Sequence, residues 1–206
     1  MTKLLIITGP QGSGNHLFSK LFSARTDVYG WQQLFDHPWI THENEPFNQY
    51  WNDPELLNDF NWDQSQYYVT SISCPYIKNF QECIPRYADF FSKLKQHKIQ
   101  TSLLIIGRDE NVLEFQQLRI RDKLTLDQFK EQMPWLSQQN PIYASQELAY
   151  LYKFDYLSSL SRQLDFPITT DKQALNNILA VNANKKYFHP AEMSDLDLTI
   201  RKLNGL

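Results

Sequence analysis

Two short apolar runs, residues 4–7 (Leu-Leu-Ile-Ile) and 103–106 (Leu-Leu-Ile-Ile), interrupt an otherwise mixed chain and read as strands covered on both faces. A third run, 67–73, is rich in β-formers and stops at Cys74-Pro75. Between and after them the apolar spacing changes to that of helices. Leu17, Phe18, Leu21 and Phe22 mark one face of a helix over 15–24, and Tyr87, Phe90, Phe91 and Leu94 mark another over 85–97. Further helices are predicted over 110–121, 145–164 and 172–183, with a last short strand at 166–169. Strands alternating with helices predict a mainly parallel sheet with right-handed crossovers, hence a three-layer α/β/α domain over 1–206. Residues 25–66 break the pattern. Their Asp-His-Pro, Asn-Asp-Pro and many Asn and Asp residues punctuate the chain, so an irregular insertion is expected, lying over the first strand's loop. Short helices are predicted within it near 31–35 and 54–60.

That first loop carries the strongest chemical signal. Gly9-Pro10-Gln11-Gly12-Ser13-Gly14-Asn15-His16 joins a strand to a helix, with three glycines in six residues. Backbone N–H groups in such a loop, together with the helix N-terminus behind them, form an anion cradle. Against the phosphate-loop pattern G-x-x-x-x-G-K-[ST], Gly9 and Gly14 fall in place, but Asn15 replaces the lysine and His16 the metal-binding hydroxyl. The backbone cradle survives these changes; ordinary Mg-nucleoside-triphosphate chemistry loses two of its parts.

Composition narrows the classes. A net charge of −3 supplies no global basic field for nucleic acid or an anionic membrane, and neither apolar run is long enough to span a bilayer. No secretory signal is evident, and Cys74 and Cys83 form no metal or C-x-x-C pattern, so free thiols in a reducing cytoplasm are expected. The 5 Trp, 11 Tyr and 13 Phe concentrate between 29 and 91, where they fill an aromatic core or line a cleft for a sugar or planar group. Arg108 directly follows the strand at 103–106, at the end where parallel sheets bind ligands. It either grips a phosphate or pairs with Asp109 or Glu110 at the surface. Arg119 and Arg121 are solvated helix charges or a lid over anions.

The order of these parts resembles the P-loop-fold sulfotransferases. Many of these open with G-x-x-[RK]-S-G-T-[ST]-L after a strand; this chain matches at Gly9, Ser13, Gly14 and Leu17, with Gly12 in place of the basic residue and Asn15-His16 in place of the hydroxyl pair. Ile105-Ile106-Gly107-Arg108 is similar to the family's second anchor, with Gln116 where its serine stands. Ser145-Gln146-Glu147-Leu148 and the later Phe166-Pro167 are similar to its Y-E-x-L helix and F-L-G-x-P turn. The likeness covers about 3–24, 67–121 and 143–170. It implies a P-loop-type fold and the cofactor 3′-phosphoadenosine 5′-phosphosulfate (PAPS). Gly9, Gly12, Ser13, Gly14, Asn15 and His16 would then sit around the 5′-phosphosulfate, and Arg108 and Gln116 around the 3′-phosphate. It further implies a transferase acting on a hydroxyl of a small molecule or sugar.

The lysine and histidine that cytosolic members often carry on the second strand are absent here: Ser71-Ile72-Ser73-Cys74 precedes Pro75. His16 becomes the candidate for donating to a sulfuryl or bridging oxygen. His42 and Glu43, with His37 and Glu45, become candidates for the base that accepts the hydroxyl proton. Lys20, Lys185 and Lys186 are candidates for the missing cation. Two other readings stay open: a divergent nucleoside or nucleotide kinase using Arg108, Arg119 and Arg121, and a non-catalytic nucleotide-binding domain of the same fold.

Overall fold

The computed structural model describes residues 1–32, 44–78 and 81–181, the side chains of Ile120 and Arg121 excepted. The candidates His37, His42, Glu43, Lys185 and Lys186 lie outside these residues, as does most of the helix expected at 31–35.

The strands are β1 (Lys3–Pro10), β2 (Val28–Tyr29), β3 (Tyr67–Cys74), β4 (Tyr76–Lys78), β5 (Gln81–Cys83), β6 (Gln100–Gly107) and β7 (Ile142–Ser145). Five of them form one parallel sheet in the order β2-β3-β1-β6-β7, and β4 and β5 make a separate antiparallel hairpin. The α-helices among the described residues are α1 (Asn15–Phe22), α2 (Asn48–Asn52), α3 (Tyr87–Gln96), α4 (Glu110–Arg121), α5 (Leu126–Lys130), α6 (Met133–Leu136), α7 (Gln146–Leu164) and α8 (Lys172–Ala180). A 3-10 turn, Pro54–Asp59, follows α2 and begins where the Asp53 side chain accepts from the Glu55 amide.

The central strand is apolar throughout because neither of its faces meets water. Leu5 and Ile7, with Val69, Leu104 and Ile106, pack beneath α1, α7 and α8; Leu4 and Ile6, with Tyr68, Ile72, Leu103 and Ile105, pack beneath α2 and α3. Leu4, Leu5, Ile6 and Ile7 are fully buried, each worth about 1.5–3 kcal/mol of transfer free energy. The result is a mixed α/β fold in which helices flank a five-stranded, all-parallel sheet.

Most of the described aromatic residues of the insertion build core. Phe47, Tyr50, Phe60 and Trp62 crowd around Tyr29 and Tyr68, at the end of β3 opposite the glycine loop. Trp51 stacks on Phe90 with ring centroids 3.8 Å apart, and its indole N–H donates to the Thr70 hydroxyl. Trp31 is different: it meets His16 of the glycine loop edge-on at 4.5 Å.

Two of the predicted elements differ from expectation. Residues 166–169 form no strand: Phe166 and Ile168 are buried against the α1–α7–α8 core, but Pro167 lacks the N–H a ladder needs. The fifth strand is instead β7, which pairs Ile142–Ser145 with Leu104–Gly107. The helix predicted over 145–164 is broken at Lys153 (φ 46°, ψ −122°), which separates 146–152 from the remainder.

Candidate functional site

The glycine loop, Arg108 and the start of α7 converge at the carboxyl ends of β1, β6 and β7. Gly9 lies opposite Ser73 of β3, and a Cβ there would stand 2.6 Å from the Ile106 carbonyl oxygen. Gly12 and Gly14 adopt φ of 91° and 111°, a region that side chains disfavour. These turns leave the amides of Gly12, Gly14 and Asn15 without hydrogen-bond partners among the described residues, at the N-terminus of α1. Donors so placed can hold an anion.

The Asn15 side chain does not take the lysine's role. It is buried and tied to β3: its amide donates to the Ile72 carbonyl at 3.3 Å and to the Ser73 hydroxyl at 3.0 Å, and its carbonyl accepts from Ser13 at 3.3 Å. Asn15 and Ser13 therefore lock the loop to the sheet and leave their backbones for a ligand. Behind the loop stands a second buried lock, which the sequence reading missed. Gln117 donates to the Gln11 carbonyl at 2.9 Å and accepts from the Thr125 amide at 2.8 Å, while the Thr125 hydroxyl donates to Gln11 Oε1 at 3.2 Å. The signal was only a glutamine beside Gln116 in a helix, where such residues are usually solvated.

Arg108 is brought to the loop across 96 residues. Its Nη1 donates to the Gly12 carbonyl at 3.0 Å and to Gln116 Oε1 at 2.8 Å, and its Nε is buried without a hydrogen bond. Neither surface pair expected for it forms: Asp109 caps α4 through the Val112 amide, and Glu110 pairs with Lys130. The Glu147 carboxylate approaches its Nε at 3.7 Å. Gln146 packs against Gly14, with Oε1 buried and unpartnered. Arg119 is exposed on α4.

His16, half-buried, stands in the first turn of α1 with Trp31 against its ring. On the far side of Asn15, β3 ends in buried groups. The Tyr87 hydroxyl lies 2.6 Å from the Thr8 hydroxyl, which donates to the Ile72 carbonyl, and burial pushes the Cys74 thiol up to about 12. Burial thus disfavours the Cys74 thiolate. Both cysteines are free.

Glu45 is buried at the outer edge of β3, where β2 pairs only with Tyr67 and Tyr68. Its carboxylate takes the Phe47 amide at 2.9 Å and the Ser71 amide at 3.2 Å, with the Thr70 hydroxyl as a further donor. It fills in for missing strand pairing by accepting from these backbone amides. Burial nonetheless outweighs these donors and pushes the carboxyl up to about 8.

Among the described residues no helix is long and apolar enough to cross a membrane. No protein-family model matches the chain, and no curated protein matches its sequence.

Proposed function

We propose that the chain is a sulfotransferase-like enzyme of the P-loop type that binds PAPS and transfers its sulfuryl group to a hydroxyl of a small molecule or sugar. The observation that carries this reading is the Arg108 contact with Gly12 and Gln116, which brings the end of β6 and helix α4 onto the glycine loop. The fit is supported by three loop amides and a buried guanidinium N–H, all without hydrogen-bond partners among the described residues. The amides of Gly12, Gly14 and Asn15 would hold the 5′-phosphosulfate, and Arg108 with Gln116 the 3′-phosphate. The bound group would supply an activated sulfuryl on a phosphate leaving group. His16 is assigned to donate toward its oxygens, and His42 or Glu43 to take the hydroxyl proton.

The kinase reading is weakened by Asn15, whose side chain is spent on β3 and cannot reach a phosphate as lysine does. A binding-only reading is favoured by one feature: β3 ends in Ser71, Ser73 and a buried Cys74, none of them a base at neutral pH.

A thermal-shift comparison tests the reading. Adenosine 3′,5′-bisphosphate in EDTA is expected to raise the melting temperature more than Mg-ATP does. At a hundred times its dissociation constant a ligand stabilises by about 2.7 kcal/mol, an easily resolved shift. A clear rise with Mg-ATP and none with the bisphosphate would favour the kinase.

A further inference from the structure

The guanidinium of Arg108 already has an internal anion beside it. Glu147 Oε1 lies 3.7 Å from its Nε, and Glu147 Oε2 accepts from the Ser145 hydroxyl at 2.7 Å. Ser145 in turn caps α7 by accepting from the Leu148 amide. The carboxylate is thus aimed at Arg108 by the helix start itself. It remains 44% exposed, whereas the Arg108 side chain is only 11% exposed. The turns that carry Glu147 are held on one side and open on the other, with Tyr150 packed against the core. Lys153 breaks α7 behind them, and within 146–152 Leu151 and Tyr152 are exposed while Gln146 and Ala149 are buried. Gln146, the neighbouring residue, holds a buried carbonyl oxygen with no partner beside Gly14, so this segment leaves polar groups unsatisfied on the cradle side.

We propose that Glu147 is a displaceable counter-ion that guards the Arg108 anion site. The inference rests on reading the glycine loop and Arg108 as an anion site. With no anion bound, the carboxylate offsets the guanidinium and lowers the positive potential of the cradle. An entering anion meets both the attraction of Arg108 and the repulsion of Glu147. It takes over the Nε–H donor and turns the carboxylate outward, a movement that the break at Lys153 permits. Glu147 therefore sets a threshold: weakly charged anions are held off Arg108, and a multiply charged phosphate group displaces the guard. Removing the charge raises affinity, and the gain grows with the charge of the ligand.

Calorimetric titration of the full chain with inorganic pyrophosphate, and separately with sulfate, at low ionic strength tests this. Glu147→Gln is expected to bind pyrophosphate about two- to fivefold more tightly than the wild type, the range for a partly exposed ion pair. The gain for sulfate is expected to be smaller, and both gains to shrink as salt is added. Glu147→Asp, which keeps the charge, should stay near wild type. In the Arg108→Ala background Glu147→Gln should give no gain. Equal or weaker pyrophosphate binding by Glu147→Gln overturns the proposal, as does a gain that persists without Arg108 or the absence of pyrophosphate binding to either protein. If adenosine 3′,5′-bisphosphate fails to bind while the pyrophosphate gain appears, the PAPS reading falls and the guard stands.

Discussion

Arg108→Ala is expected to weaken adenosine 3′,5′-bisphosphate by about 2–3 kcal/mol, roughly 30- to 150-fold, while adenosine 5′-phosphate binds nearly as before. The asymmetry follows from the division of the cradle. The loop amides belong to backbone whose position is set by Asn15 on one side and by Gln117 and Thr125 on the other. Arg108 adds a charged donor with an unsatisfied N–H. The substitution also removes the contact with the Gly12 carbonyl, so the monophosphate reports whether the loop itself has loosened. Arg108→Lys keeps the charge but not the forked geometry, and should recover only part of the affinity. Equal losses for both ligands would show that Arg108 acts by holding the loop rather than by binding a second phosphate.

The second large effect concerns stability. A free glutamate titrates near 4.5, whereas Glu45 in the folded chain is pushed up to about 8 by burial. Between those values the folded protein keeps a proton that the unfolded chain has released. Its contribution to stability is therefore fully present below about pH 4.5, declines as pH rises, and levels off above about pH 8. The loss is on the order of 5 kcal/mol across that whole window. Other carboxylates titrate near its acidic end, so the quantity to measure is a difference. Urea unfolding of the wild type and of Glu45→Gln at pH 5.5 and pH 8 should show the variant nearly free of this decline, because glutamine keeps an acceptor for one backbone amide and cannot ionise. Identical pH dependence in the two proteins would mean that the donors from Phe47, Ser71 and Thr70 hold Glu45 ionised in the fold.

What the sequence revealed was governed by how fully each element is enclosed. β1, β3 and β6 lie side by side, covered on both faces, so their apolar runs were unmistakable, and Arg108 was legible as the residue leaving β6. β7 lies at the sheet edge with one neighbour and only four residues, and Ile142-Tyr143-Ala144-Ser145 carries no such run. Buried Phe166 and Ile168 imitated a strand because they fill the core without pairing. In the site, glycine spacing identified the loop, since positive φ demands a particular residue type. The locks around it were not legible. Asn15 read as a lost lysine and proved to be a clamp on β3, and Gln117 read as helix surface and proved to be fully buried. Side-chain amides serve either role, and only the packing around them decides which.

The most direct measurement is an NMR titration of the ¹⁵N-labelled chain with adenosine 3′,5′-bisphosphate in the presence of EDTA. The account predicts that the backbone amides of Gly12, Gly14 and Asn15 and the side-chain Nε–H of Arg108 shift together along one saturable curve, since one ligand would take all four donors. Shifts confined to other parts of the chain, or loop amides that move only when Mg²⁺ and ATP are added, would contradict it.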